Sequence, residues 1–192
     1  MMRIITGKAR GTHLLTLAGE NTRPTAERVK EAVFSSLQSV VADAEVLDLF
    51  AGSGQMALEA LSRGAARAVA CDSEKAAVKV IEANADKTHL ANTCEIFCMD
   101  YAALLRSMRD RRRFDLVFLD PPYAKGLLPA TLAMLLDFDL LNADARVVCE
   151  SADGQDVFGT DVTLAERYKT LRATRYGAAF VTVLTPKGEE TL

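Results

Sequence analysis

The stretch Val46-Leu47-Asp48-Leu49-Phe50-Ala51-Gly52-Ser53-Gly54 decides the fold. A run of apolar residues of strand length stops at two glycines, and Gln55 then opens a segment, Gln55 to Arg63, with helical spacing. A buried strand that turns on glycine into a helix is the first unit of a parallel α/β sheet. Downstream the same rhythm repeats. Apolar runs at Glu45 to Phe50, Ala68 to Asp72, Thr93 to Met99, Phe114 to Leu119 and Ala145 to Glu150 predict strands. Helical spacing predicts helices over Gln55 to Arg63, Glu74 to Thr88, Asp100 to Arg109 and Leu127 to Leu136. Tyr168 to Arg175 and Ala178 to Thr185, with only Tyr176 and Gly177 between them, suit an antiparallel pair at the sheet edge. The expected fold is a doubly wound, mostly parallel, Rossmann-like sheet of seven strands.

Upstream, Met2 to Thr6 and His13 to Leu17 read as two short strands of a hairpin around Gly7-Lys8-Ala9-Arg10-Gly11, and Thr25 to Leu37 as a helix with Thr25 as N-cap. This gives an extension over residues 1–40 and a main domain over 41–192. Within 192 residues of net charge −3, residues 1–30 hold six cations against two carboxylates, net +4, which leaves −7 for the rest. A basic segment on an acidic body points to a localised anionic partner rather than to a protein that coats nucleic acid. No apolar run approaches the roughly 20 residues of a membrane span and no secretory h-region precedes Arg3, so a cytoplasmic protein is expected. Four cysteines without CxxC spacing and two distant histidines, His13 and His89, argue against a metal site. Cys94 and Cys98 read as small buried thiols.

Ligands of such sheets bind beyond the carboxyl ends of the strands. Gly52, Gly54 and Ala57 satisfy a fingerprint common to dinucleotide and S-adenosylmethionine sites, and Phe50 and Ser53 belong to the same loop. Asp48 is a candidate acceptor for the amino-acid end of S-adenosylmethionine and would repel a pyrophosphate. Asp72, at the end of the second strand, offers two oxygens to ribose hydroxyls or else caps the following helix. Asp100 is placed to meet an adenine amine, to cap a helix, or both.

The sharpest signal is Asp120-Pro121-Pro122-Tyr123 at the end of the fourth strand. Successive prolines stiffen the loop and present the Pro121 carbonyl as an acceptor beside the Asp120 carboxylate. An exocyclic amine carries two N–H donors and a delocalised lone pair. Two fixed acceptors would pull that nitrogen toward tetrahedral geometry and aim its lone pair at a methyl donor. Tyr123 would stack on a base flipped from its helix. Arg106, Arg109, Arg111, Arg112 and Arg113 mimic a nucleic-acid patch but close a helix before a strand, at the sheet edge opposite the glycine loop, where a solvated face is expected.

Taken together, Arg3 to Gly11, Thr22 to Phe34, the glycine loop, Leu58 to Ala65 and Asp120 to Tyr123 resemble the RsmD family of methyltransferases. Arg23-Pro24-Thr25 is the most family-specific part. Relatives often carry Glu at Asp72 and Asn at Ser35. The resemblance implies the seven-stranded methyltransferase sheet, S-adenosylmethionine as cofactor and the N2 amine of a guanine in small-subunit ribosomal RNA as target. It also implies that the N-terminal hairpin and the Arg23 segment touch RNA or close over the donor, with Lys8, Arg10, Arg23 and Arg28 as candidate RNA contacts; a monomer is expected. Methylation of DNA adenine or protein glutamine, NAD-dependent oxidation and a non-catalytic RNA-binding assembly factor remain the rivals.

Overall fold

The computed structural model describes residues 2–17, 24–122, 126–152, 157–177 and 179–188. Seven strands form one sheet in the order β3-β2-β1-β4-β5-β7-β6. They are β1 (Glu45–Asp48), β2 (Arg67–Asp72), β3 (Cys94–Cys98), β4 (Phe114–Leu119), β5 (Leu141–Ser151), β6 (Tyr168–Tyr176) and β7 (Ala179–Pro186). The first five are parallel. β7 runs against β5 one position in from the edge, and β6 pairs antiparallel with β7 to close that side.

Central strands buried on both faces need apolar side chains pointing both ways, and their alternation sorts the core into two layers. Val46, Leu116, Phe118 and Val148 point to the face covered by α1 (Pro24–Ser36), α2 (Gln55–Ser62) and α3 (Lys75–Lys87). Leu47, Leu49, Val117, Leu119 and Val147 point to the face covered by α4 (Tyr101–Met108), α5 (Leu127–Asp137) and α6 (Val162–Glu166). Strand order reverses at β1, which has β2 on one side and β4 on the other. The crevice of a doubly wound sheet opens at that point.

Three local expectations are corrected. α1 starts at Pro24 rather than being capped by Thr25, since a proline loses nothing in the first turn, where the N–H has no partner in any case. β5 begins at Leu141, four residues before the expected start, because Leu141 pairs with Phe114 across an irregularity in β4. The N-terminal strands shrink to a single Arg3–His13 bridge. The chain still doubles back there, with bonds from Ile4 N to Thr12 O (2.9 Å) and Leu14 N to Met2 O (2.9 Å). The next amides turn elsewhere: Ile5 N donates to Glu59 Oε2 (2.8 Å), Thr6 N to Glu59 Oε1 (3.1 Å) and Leu15 N to Asn84 Oδ1 (2.7 Å). The hairpin is thus clamped to α2 and α3 at the expense of its own ladder, and Met2, Ile4, Ala9 and Leu14 join the core.

Glu59 is the centre of this clamp. It is 0% exposed, with Arg63 Nε at 2.7 Å and Lys30 Nζ, itself 2% exposed, at 3.4 Å. Lys30 Nζ also donates to Arg3 O at 2.6 Å. Burial pulls the Lys30 pKa down and the Glu59 carboxylate opposes that fall. The turn fits only a glycine: a Cβ on Gly7, at φ +89°, would lie 1.8 Å from Ser62 O. Removing one partner of a buried pair typically costs about 3–5 kcal/mol, because the other charge stays buried. Glu59→Ala is therefore expected to lose about that much unfolding free energy in a urea titration. A loss below about 1 kcal/mol, the range of surface pairs, would show that the hub carries little.

Candidate active site

A cavity of about 610 Å³ opens at the carboxyl ends of β1 to β4, a size that suits a nucleoside-containing ligand. Its floor is the β1–α2 loop, with Phe50, Gly52, Ser53 and Gln55 on the wall. Gly54 adopts φ 75°, ψ 13°, and a Cβ there would meet Ile81 Cγ2 at 2.9 Å. Only glycine lets the loop turn this tightly against α3.

Asp72 reaches the cavity from β2. Its Oδ2 accepts from Gly52 N (3.0 Å) and its Oδ1 from Glu74 N (2.9 Å), so the carboxylate is fixed to the loop it serves. Each oxygen keeps a second lone pair for a ligand hydroxyl. It does not cap α3, whose N-cap is Glu74 without a side-chain bond. Asp100 does cap α4: its Oδ1 accepts from Ala102 N (2.9 Å) and Ala103 N (3.2 Å) while the residue lines the cavity. Phe50 and Tyr101 face each other at 5.4 Å between ring centroids, tilted by 43°. They give the cavity an apolar wall beside two carboxylates. Tyr101 was not singled out from the sequence, although an aromatic directly after a strand-terminal Asp was a usable signal. Met2, Leu17, Ser73, Glu74 and Met99 also line the cavity and carried no such signal.

Asp120, Pro121 and Pro122 close the opposite wall, with Pro121 buried and Asp120 and Pro122 exposed. The loop after β1 and the loop after β4 thus share one cavity. Tyr123 and Arg23 lie outside the described residues. The Ser53 hydroxyl donates to Met2 Sδ (3.1 Å), and both residues line the cavity. Cys98 corrects the expectation of two buried thiols: it is exposed at the end of β3, an edge strand, whereas Cys94 is buried.

Asp48 and Gly54 lie behind the loop instead of on the wall. Asp48 is 3% exposed, and its Oδ2 accepts from Ala57 N (3.2 Å) in the first turn of α2. It braces the helix that carries the glycines. Burial pushes its pKa up to about 7, the Ala57 bond opposes this, and the Asp72 charge adds a little. Lys8, Arg10 and Arg28 are exposed. Lys8 N and Ala9 N bond to Ser62 O and Oγ at the last turn of α2. Lys8 and Arg10 therefore sit about 12 Å, one helix length, from the glycine loop. The arginines before β4 are at the far end of the sheet, where Arg112 pairs with Glu95 and Arg113 with Asp139.

The Asp48 placement has a pH signature. A carboxyl whose pKa is raised by folding binds its proton more tightly folded than unfolded, so its contribution falls as pH rises from about 4 to about 7. Asp48→Asn removes that slope. Relative to wild type, the variant is expected to gain stability between pH 4.5 and 7.5 in paired urea titrations, by on the order of 1–3 kcal/mol. A constant difference across that range would contradict the assignment.

Comparison with known proteins places this geometry in a family. The family model described as Conserved hypothetical protein 95 matches residues 2–185. YlbH of Bacillus subtilis is 32% identical over 191 residues, covering 97% of this chain and 100% of that protein. Ribosomal RNA small subunit methyltransferase D of Escherichia coli K12 is 35% identical over 150 residues, 78% of this chain and 74% of the relative. The solved structure of yhhF from Escherichia coli superposes with a TM-score of 0.85 at 31% identity, covering 98% of this chain and 99% of that one. A match that runs from the clamped hairpin through the Asp120-Pro121-Pro122 loop to β7 leaves one conclusion: the chain belongs to the RsmD family of methyltransferases.

Proposed function

We propose that this chain transfers the methyl group of S-adenosylmethionine to the exocyclic N2 amine of a guanine in small-subunit ribosomal RNA, acting as a monomer on the subunit or an assembly intermediate. The observation that carries this reading is the single cavity shared by Gly52, Asp72 and Asp100 on one side and Asp120, Pro121 and Pro122 on the other. The residues fit the donor. Asp72, locked by Gly52 N, has acceptor capacity for a ribose diol, and the Phe50 and Tyr101 rings suit an adenine with Asp100 near its amine. The bound donor supplies an electrophilic methyl on a positively charged sulfur. Ribosomal RNA as substrate class comes from the relative named above.

Asp120 and the Pro121 carbonyl hold the two N–H groups of the amine, which localises its lone pair and directs it at the methyl. The Asp120 carboxylate would lie beside the nitrogen and stabilise the positive charge that it gains on accepting the methyl group. The alkylated ammonium is strongly acidic and gives its proton to water, so positioning rather than proton removal is the role of Asp120. Tyr123 stacks on the flipped base. Lys8, Arg10, Arg23 and Arg28 contact RNA phosphates; Lys8 and Arg10, at the foot of α2, would reach backbone remote from the target.

Two measurements test the proposal. Labelled donor offered in parallel to small subunits, naked ribosomal RNA, DNA and protein is expected to mark guanine N2 in the RNA. Label in DNA or protein alone would overturn the substrate. Asp120→Ala is expected to keep donor affinity and lose about a hundredfold to a thousandfold in single-turnover rate. Asp120→Asn, which still accepts one hydrogen bond, should lose less. Equal losses in both variants would make Asp120 a base, and a near-normal Asp120→Ala rate would sink the active-site assignment.

A further inference from the structure

From Arg167 to Lys187 the chain holds five cations and no carboxylate, in a protein of net charge −3. Arg167 pairs with Asp137. Lys169, Arg172 and Arg175, all on β6, are exposed and have no ion-pair partner among the described residues. Both guanidiniums are nevertheless oriented. Arg172 Nε donates to Thr174 Oγ1 (3.0 Å), and Arg175 Nε donates to Gly177 O (2.9 Å) with its guanidinium 5.3 Å above the Phe180 ring. The terminal nitrogens of both forks make no protein bond among the described residues, so they are held in place and open to a ligand. Arg172 borders a shallow cleft with Ala32 and Ser36 of α1, and Arg28 lies one turn before Ala32 on the same stripe of that helix.

Register places these cations level with the reacting end of the sheet. Leu119 pairs with Cys149, Cys149 with Thr182, and Thr182 with Ala173. Asp120, the residue after Leu119, is therefore level with Thr174, between Arg172 and Arg175. Three strand spacings of about 4.8 Å separate it from β6, about 14 Å across the sheet. Edge strands also carry cations to block pairing with other sheets. Here the edge is already broken by the bulge between Thr170 and Arg172, with Leu171 as the extra residue.

We propose that the basic outer edge of the β6–β7 hairpin, where Arg172 and Arg175 flank the edge strand from its two faces, binds the phosphate backbone of the RNA next to the target nucleotide. This rests on the ribosomal RNA reading above. It adds a binding surface on the β6 side of Asp120, beside Arg28 of α1. Oriented guanidiniums match phosphate in a way that a mobile ammonium does not.

The test is a salt titration of binding to a small-subunit ribosomal RNA transcript and to purified small subunits, for wild type, Arg172→Ala/Arg175→Ala and Arg172→Lys/Arg175→Lys. Each phosphate that is no longer neutralised lowers the slope of log affinity against log salt by about 0.7–0.9, so the alanine pair should lower it by about 1.4–1.8. The lysine pair should keep most of the slope, and donor affinity, which checks the fold, should not change. An alanine pair with the wild-type slope overturns this surface and leaves the ribosomal RNA reading standing. The same slope with new self-association, seen by sedimentation, would make the cations edge guards and nothing more. Wild type that binds neither transcript nor subunit would overturn the ribosomal RNA reading and this surface with it.

Discussion

Glu59 is the constraint on which the arrangement depends. An ionised carboxylate with no solvent exposure is costly unless every lone pair is used. Here its oxygens take Ile5 N, Thr6 N, Arg63 Nε and the charge of Lys30. Those four partners come from the N-terminal hairpin, α1 and the end of α2 itself, so satisfying one side chain fixes three pieces of chain in one place. The same α2 begins at the glycine loop and is braced from below by Asp48. Asn84 extends the clamp from α3: its Nδ2 donates to Ser53 O (2.9 Å) and to Leu15 O (3.0 Å). The hairpin and the cofactor loop are thereby parts of one rigid unit, and Met2 and Leu17 reach the cavity because of it.

Four aspartates at or near strand ends show how one residue type is divided among tasks by burial alone. Asp48 is enclosed, holds a helix N-terminus and has its ionisation suppressed. Asp72 is half-buried and fixes the loop amide while facing the cavity. Asp100 caps α4 with one oxygen. Asp120 is exposed at the rim, followed by two prolines.

Much of this was legible in the sequence because it is local. β4 begins and ends where its apolar run does, and β6 and β7 form the expected antiparallel pair, although Tyr176 belongs to β6 and pairs with Ala179 rather than lying between the strands. The Asp120-Pro121-Pro122 loop stands beside the glycine loop because both follow parallel strands that prove to be neighbours. What was missed depends on long-range packing. Glu59 looks like a solvated helix position until residues more than fifty places earlier are folded over it. Asp48 was expected to face the ligand, but period-two alternation does not say which residue at a strand end turns inward beneath the loop. The five-residue α6 was too short for a period, although Asp161, whose carboxylate accepts from Leu164 N (2.8 Å), is an ordinary cap signal. Lys8 and Arg10 were expected only as RNA contacts, with no position relative to the cavity, and the clamp carries them to the end of α2 away from the glycine loop.

The strand order has a consequence for biosynthesis. β1 pairs with β2 on one side and with β4 on the other. While the chain emerges, Glu59, Lys30 and the hairpin are available early and can lock together, and β2 and β3 can add to β1. The other edge of β1, Val46-Leu47-Asp48, must wait for Leu116-Val117-Phe118. At about 5–20 residues per second that apolar edge stays open for on the order of several seconds. During that interval the nascent half-sheet is a template for pairing with other chains. The interval ends only when the segment that carries Asp120 arrives, so the strand that completes the active site is also the one that closes this edge of β1.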